Sequence, residues 1–342
     1  MKLLIITQKV DEGDQLLGFF IDWIRDFSHH FEKVNVLCLE RGAFNLPENV
    51  KVESFGKDRG QSKLKQFFNF YFLIFILRKD YDAVFVHMNP IWVVLGGLWW
   101  RITKKQIFFW YTSGGITAKL KLAEKFADTI FTASKESFRL PSKKVIVTGH
   151  GIDTRLFQPS EKLKVKSEKL MILSVGRIAL VKNYEVLIDA AKTLKNKGFN
   201  FMVTMVGEAP LARDKNYEEN LRSKIKNLKL EDHFNFVGKV NHGDLPAYYQ
   251  SHDLFVHLSK TGSLDKTILE AMACGMNILS SNDSAKTFLP TELLFQENNS
   301  AELAQKIKLV SQRFYGQNLR NYVVENNNLD KLIDKISDII KS

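Results

Sequence analysis

Two cations and one carboxylate carry the chemistry that this sequence offers. In SVGRIALVKN (Ser174–Asn183) an apolar strand pattern ends at Gly176, and Arg177 and Lys182 flank a short loop ahead of a helix. That geometry sets both cations at the mouth of a sheet, beside the positive end of a helix dipole. Two cations and free backbone amides suit a diphosphate. The alternative is two solvated surface charges, since helix N-termini ordinarily favour acidic residues. In TGSLDKTILE (Thr261–Glu270) the run Thr261, Gly262, Ser263 reads as a loop whose amides can come close to an anion. Glu270 is the one carboxylate of an otherwise apolar helix and stands one turn from Lys266. A carboxylate so placed accepts sugar hydroxyls in dinucleotide folds; the plain alternative is a Lys266–Glu270 surface pair worth little.

These residues need a strand, a loop and a helix to hold them, and the chain supplies that unit repeatedly. DLFVHLS is strand-like, KTILEAMACG has helical spacing closed by Gly275, and NILSS resumes a strand. Upstream, KLLIITQ, KVNVLCLE, NVKVESFG, AVFVHM, QIFFWYT, TIFTAS and KKVIVTG read as strands. Between them lie the helical stretches QLLGFFIDWIRDFSHHF, SKLKQFFNFYFLIFILRKD (N-cap Ser62), one opened by Pro90, and AKLKLAEKF. After the polar segment Gln158–Lys169, read as a linker, the alternation restarts with LMILSVG, a helix capped by Asn183, FMVTMVG, FNFVG and, near the end, ELLFQ as a further strand. The expectation is an α/β protein of two doubly wound, largely parallel sheets. The expected spans are 1–157, 158–325, and a terminal helix at 326–342 that is a candidate to pack back on the first domain. A cleft between two such halves is the default site.

The chain has 342 residues and a net charge of +11. Residues 1–155 hold 23 Lys and Arg against 16 Asp and Glu, so +7 of the excess lies there. Such a balance implies an anionic partner. No recognised nucleic-acid motif accompanies it, so nucleic acid is set aside. The basic, aromatic stretches SKLKQFFNFYFLIFILRK and GGLWWRITKK suit contact with an anionic membrane, with Lys63, Lys65, Lys104 and Lys105 as candidate contacts, or else buried helices with basic ends. The apolar run Phe67–Asp80 is too short to span a bilayer, and the N-terminus reads as no signal peptide. Cys38 and Cys274 read as small core residues of a reducing compartment, with no disulfide and no metal-ligand spacing.

Taken as an ordered set, SVGRIALVKN, the VGEAP turn (Val206–Pro210), FVGKVNHGDLPAYYQSHDLFVHLS and LEAMACGMNI resemble the nucleotide-sugar-binding half of glycosyltransferase family 4. These are retaining enzymes with two facing Rossmann-like domains, the GT-B fold. GHGIDTRLFQP (Gly149–Pro159) is similar to that family's hinge, and the resemblance covers most of residues 145–315. The first half is similar in its βα alternation, in the strand-end His87 of VFVHMNP and loosely in TASKESF.

The resemblance implies that Arg177 and Lys182 hold the donor diphosphate and stabilise the departing nucleotide without a metal. It implies that Glu270 accepts the ribose hydroxyls, that the backbone at Gly238 and Lys239 meets the base, and that Gly207 and Glu208 line the same pocket. Lys266 and Thr267 would offer amides at the helix start, and Gly262, Ser263 and Asp265 belong to the same donor loop. The family usually carries a second glutamate eight positions before Glu270, where this chain has Gly262; Asp265 is the nearest carboxylate and does not simply replace it. The family's Gly-Gly loop is here KVDEGDQLLG, with Gly13 among Asp11, Glu12 and Asp14, and a frequent histidine is Ser113. The acids at 11, 12 and 14 are either sugar-hydroxyl acceptors or an exposed acidic loop. Gly13, Asp14, His87, Ser113 and His150 are the candidate residues on the acceptor side, the two histidines having structural hydrogen bonding as their alternative.

The implied reaction moves a sugar, with retention, from a nucleoside-diphosphate-sugar to a hydroxyl of a lipid-linked or cell-surface glycan. The donor is a substrate, and no separate cofactor is expected. The implied place is the cytoplasm, at the inner membrane face. Two alternatives stay open: a nucleotide-sugar-binding partner subunit of weak activity, and a sugar-nucleotide epimerase of the same fold.

Overall fold

The computed structural model describes residues 1–14, 16–160, 168–259 and 262–342. Within these, the chain forms two compact units. One comprises Met1–Gly151 with Leu329–Ser342, the other Ile152–Asn328.

The first unit is a parallel sheet of β1 (Lys2–Val10), β2 (Lys33–Arg41), β3 (Val50–Ser54), β4 (Ala83–His87), β5 (Gln106–Trp110), β6 (Thr129–Thr132) and β7 (Val145–Val147). Their order across the sheet is β3-β2-β1-β4-β5-β6-β7. β1 shows how sequence makes this layer. Strand side chains alternate between faces, so a run apolar at every position is stable only when both faces are covered. Leu3 and Ile5 of β1 enter one core, with α1 (Phe20–His30), while Leu4 and Ile6 enter the other, with α2 (Lys63–Ile76), α3 (Pro90–Ile102) and α4 (Ala118–Phe126). Ser62 caps α2 by accepting from the Lys65 amide, and Asn89 accepts from Ile91 at the Pro90-led start of α3.

The second unit is a parallel sheet of β8 (Leu170–Val175), β9 (Phe201–Val206), β10 (Phe234–Gly238), β11 (Leu254–His257) and β12 (Asn277–Ser280), in the order β10-β9-β8-β11-β12. Its helices are α5 (Glu185–Asn196), α6 (Ala212–Asn227), α7 (Leu245–Ser251), α8 (Lys266–Ala273), α9 (Ser300–Val310) and α10 (Gly316–Asn326). The strand order reverses at β8, which has β9 on one side and β11 on the other, and such a switch point opens a crevice at the carboxyl ends of the strands.

Four local expectations are revised. The strand over ELLFQ does not form: Thr291–Leu293 is a 3₁₀ turn, and Leu294 makes a single bridge to Ser280. Asn183 does not cap α5 through its side chain; it sits in the left-handed region and donates to Asn298 Oδ1 at 3.0 Å. α1 begins at Phe20 and not at Gln15, which itself lies outside the described residues. The second unit's core already contains Ile152 and Phe157, upstream of the linker segment Gln158–Lys169, of which residues 161–167 lie outside the described residues.

The last helix, α11 (Leu329–Lys341), belongs to the first unit. Its apolar stripe of Leu329, Leu332, Ile333, Ile336 and Ile340 is buried in the same core as Phe20, Ile24 and Phe27 of α1. The spacing of three and four is what a helix needs to present one such face. Replacing Ile333, which is fully buried, with Ala should cost about 2–5 kcal/mol in chemical denaturation of the first unit. A loss below about 0.5 kcal/mol would show that α11 does not complete that core.

Candidate functional site

Three glycines end three adjacent strands of the second unit. Gly176 follows β8, Gly207 follows β9 and Gly238 closes β10, with φ of 150°, 138° and 81°. Gly176 donates to Val206 O at 2.9 Å, and Gly207 donates to Gly238 O at 2.8 Å. A Cβ on Gly207 would stand 2.0 Å from the Gly176 carbonyl oxygen. The carboxyl end of the sheet is therefore a ledge of backbone without side chains, where a flat or charged ligand can meet main-chain groups.

Lys182 lies over this ledge. Its Cε and Nζ would be 3.1 and 3.3 Å from a Cβ on Gly176, and the Tyr184 hydroxyl is 3.3 Å from the Gly176 oxygen. The side chain is 12% exposed, and its ammonium forms a short ion pair with Asp265 Oδ2. The same oxygen is 3.2 Å from His257 Nε2, at the end of β11. The other oxygen caps α8, taking the Thr267 hydroxyl at 3.2 Å and its amide at 3.5 Å. One carboxylate thus ties together the loop after β8, the end of β11 and the start of α8. Burial works against its charge, but Lys182 and His257 outweigh that and hold the Asp265 carboxyl well below the usual range. Burial also pushes the His257 imidazole down, against the pull of Asp265.

Glu270 is 4% exposed on α8, so a Lys266–Glu270 surface pair does not describe it. The Tyr249 hydroxyl of α7 donates to Glu270 Oε2 at 2.9 Å, and His242 Nε2 is 3.4 Å from Oε1. Burial first, then the Glu270 charge, push the Tyr249 phenol well above its ordinary value. Both oxygens of the candidate ribose acceptor are engaged by protein groups, and a ribose would share or displace them.

Arg177, Glu208 and Lys239 are exposed, Gly238 is half-buried, and Gly207 is buried. Arg177 follows Gly176 directly, and Glu208 O accepts from the Ile178 amide at 2.9 Å, which joins the loops after β8 and β9. Lys266 and Thr267 are half-buried at the start of α8, and the Thr267 amide already has Asp265 as its acceptor. Gly262 and Ser263 are buried, and their carbonyls accept from Ser284 Oγ and Asn282 Nδ2. Ser263 Oγ and His257 Nδ1 are buried polar atoms with no hydrogen-bond partner among the described residues. Thr261 lies outside the described residues.

In the first unit the acidic loop is organised around Lys9. Its ammonium is 3.1 Å from Asp11, 3.0 Å from Asp14 and 3.3 Å from Glu40. Asp14 Oδ1 also accepts from the amides of Leu16 and Leu17, each at 2.9 Å. Burial opposes the Asp14 charge, yet the Leu17 amide and Lys9 hold its carboxyl below the usual value. Glu12 accepts from the Asn45 amide at 2.9 Å. Gly13 is exposed, and a Cβ there would stand 3.5 Å from Asp11 Oδ1; the tighter glycine is Gly18, where a Cβ would stand 2.6 Å from Asp14 O. His87 is 1% exposed, stacks on Phe20 with centroids 3.9 Å apart and meets Thr7 Oγ1 through Nδ1 at 3.2 Å. It is built into the core. Ser113 is exposed in the irregular segment after β5, and His150 is buried near Trp110.

The residues that sequence reasoning missed are Tyr249, His242 and His257. The last carried a signal: it is the one polar residue inside the buried run LFVH, which repeats at the end of β11 what His87 does at the end of β4.

This ledge and helix start lie inside residues 158–330, which match the sequence profile of the Glycosyl transferases group 1 family. The match takes in 173 of 342 residues. The chain belongs to that family. Among its relatives in the group, the amylovoran biosynthesis glycosyltransferase AmsK of Erwinia amylovora is 31% identical over 153 residues, 42% of this chain and 35% of that protein. The 2-deoxystreptamine N-acetyl-D-glucosaminyltransferase of Niallia circulans is 24% identical over 238 residues, 60% of each. The chain spans about half the length of the curated relatives it matches, the covered shares being 43%, 42% and 60%. The Anabaena HepE structure, solved in complex with UDP, superposes with a TM-score of 0.81 over all of both chains at 19% identity. The lipopolysaccharide-biosynthesis glycosyltransferase WaaG superposes with a TM-score of 0.70 over 99% of each chain at 13% identity. The fold is the GT-B fold of these glycosyltransferases, with two Rossmann-like units.

The Asp265 bridge gives this group 1 member a pH signature. A carboxyl held below its unfolded value of about 3.9 stabilises the fold fully above that pH, and this stability is lost as pH falls through the folded value. A histidine held neutral below its unfolded value of about 6.5 likewise favours the fold at high pH and opposes it on acidification. Stability of the second unit should therefore begin to fall below about pH 6.5 and fall more steeply below about pH 4. In Asp265→Asn the steeper limb should vanish in thermal melts run across that range. An unchanged acid limb would show that the bridge contributes nothing to folding.

Proposed function

We propose that this chain is a retaining, metal-independent glycosyltransferase that moves a sugar from a nucleoside-diphosphate-sugar to a hydroxyl of a lipid-linked or cell-surface glycan acceptor. The observation that carries the reading is Lys182, held over a side-chain-free strand end beside the start of α8, with Arg177 exposed at the same loop. Membership of the family supports transfer and retention, and the resemblance to polysaccharide-building relatives such as AmsK supports a glycan acceptor.

In this reading the bond from the anomeric carbon to the β-phosphate oxygen breaks, and its electron pair leaves with the nucleoside diphosphate. The acceptor oxygen bonds to the anomeric carbon, and its proton passes to the departing phosphate. Charge that develops on that phosphate is met by Arg177 and by Lys182, which exchanges Asp265 for the ligand. No separate cofactor is required. Ser263 Oγ is a buried donor in the loop ahead of α8, suited to a phosphate oxygen. Glu270 takes the ribose hydroxyls by sharing its oxygens with Tyr249 and His242. The Gly238–Lys239 backbone faces the base, and Gly207 and Glu208 lie alongside. An acceptor of this kind places the enzyme at the cytoplasmic face of an anionic membrane.

A second reading, a nucleotide-sugar-binding subunit without turnover, is favoured by Gly262 at the position of the family's usual glutamate and by the ion pair that occupies Lys182. Titration calorimetry with UDP, GDP, ADP and TDP should find one that binds, and UDP is tried first because HepE was solved with it. Lys182→Ala and Arg177→Ala should each weaken binding by about tenfold or more, the equivalent of about 1.4 kcal/mol. Absence of binding by the unmodified chain to all four would overturn both readings. Binding without hydrolysis or transfer of any donor sugar would favour the second.

A further inference from the structure

Helix α2 has one side that the fold uses and one that it leaves in water. Phe70 and Ile74 enter the core against Phe55, Trp92 and Trp100, and Asn69 donates to Phe55 O at 2.9 Å. The opposite side carries Leu64, Phe68, Phe72, Phe75 and Ile76, which keep 52–66% of their surface exposed. Their spacing of four, four, three and one is a single helical stripe. The stripe continues onto α3: Phe75 meets Trp99 with ring centroids 5.6 Å apart, the Tyr71 hydroxyl donates to Leu95 O at 2.9 Å, and Leu98 and Ile102 of α3 are 63% and 68% exposed. Isolated apolar residues on a surface need no explanation, whereas a contiguous aromatic patch across two helices does.

The charges on the segment that carries this patch are mostly positive. Between Ser62 and Lys105 the chain has seven Lys or Arg and two carboxylates, Asp80 and Asp82. Asp80 pairs with Lys33 at 3.1 Å, and Asp82 accepts from the Lys2 amide at 2.7 Å, so both are bound to groups at the ends of β1 and β2. Lys63, Lys65, Lys79 and Lys104 are exposed. Lys105, a candidate contact from the sequence, is drawn inward instead, its ammonium donating to Tyr81 O at 2.5 Å. α2 is 14 residues long, about 21 Å, against about 30 Å of bilayer hydrocarbon. No helix among the described residues is long and apolar enough to cross a membrane. A short helix with an aromatic outer face and a cationic border is built to lie in the plane of a headgroup layer.

We propose that the outer face of α2, extended by Leu98 and Ile102, adsorbs the protein to an anionic lipid surface. The stripe enters the headgroup layer, while Lys63, Lys65, Lys79 and Lys104 bind lipid phosphates. A second copy of the chain fits this face less well. A two-fold contact sets the same patch against itself and brings one cationic border against another. The proposal rests on the glycosyltransferase reading only for the purpose of adsorption, and adsorption is measured without donor or acceptor.

The test is sedimentation of the full chain with vesicles of phosphatidylcholine alone and of phosphatidylcholine with phosphatidylglycerol. The unmodified chain should pellet with the anionic vesicles and not with the neutral ones, and 0.5 M salt should reduce the bound fraction, since screening at about that ionic strength is strong. The variant Phe68→Ser/Phe72→Ser/Phe75→Ser should lose at least about tenfold in partition, a conservative floor for three apolar side chains leaving the interface. Lys63→Gln/Lys65→Gln/Lys79→Gln/Lys104→Gln should lose the preference for anionic lipid. Nucleoside-diphosphate affinity, a property of the second unit, should be unchanged in both, and unchanged circular dichroism and thermal melting report that the first unit of each variant is folded. Three results would overturn the proposal: no partition of the unmodified chain, equal partition of the serine variant, or a concentration-dependent dimer that the serine substitutions dissolve while vesicle binding is absent.

Discussion

A single half-buried carboxylate holds the second unit's functional end together. Asp265 joins three segments that the sheet alone would leave independent, namely the loop after β8 through Lys182, the end of β11 through His257, and the first turn of α8 through Thr267. Each joint is a polar contact in partly desolvated surroundings, where an unpaired charge is costly and a paired one is strongly directional. The arrangement sets Lys182 at the strand ends without any ligand. It also fixes where α8 starts, and so where Glu270 lies one turn further along.

The glycine ledge answers to a steric constraint of a different kind. The loops after β8 and β9 approach so closely that no side chain fits at Gly207, and the left-handed backbone at all three strand ends would strain any residue with a Cβ. Close approach and positive φ together make the ledge flat. The cation above it then has backbone, and not neighbouring side chains, as its floor. Charge and shape thus come from separate parts of the sequence: shape from three glycines about thirty residues apart along the chain, charge from Lys182 and its partner eighty-three positions away.

That separation explains how much the sequence alone could reveal. Parallel α/β architecture was legible because buried strands such as LLII are apolar at every position, and an ordered set of short motifs at strand ends was enough to point to the family. The partners of the site residues were not legible. Glu270 meets Tyr249 and His242 across the turn from α7, and nothing in LEAMACG announces either. The acidic loop at 11–14 read either as sugar acceptors or as an exposed loop, because Lys9, which gathers two of its carboxylates, lies in the preceding strand as one cation among many. ELLFQ had strand composition but lacks the length of ladder that would make it one, and it ends as a single bridge. His87, a candidate from the sequence, is packed between aromatic rings, while His257, which the sequence reading passed over, stands beside the Lys182–Asp265 pair.

Lys182 and Asp265 also set a limit on how the proposed donor site can work. A cation already paired with a carboxylate gives up that pair to bind phosphate, so only the difference between the two interactions favours the ligand. His257 lessens the cost of that exchange, because the same carboxylate oxygen is shared between the ammonium and the imidazole. When Lys182 turns to a phosphate, Asp265 keeps a hydrogen-bonded partner and its place at the start of α8, and is not left as a bare buried charge. The exchange then costs less than breaking an isolated buried pair, which is the condition for a site that both holds a nucleoside diphosphate and releases it.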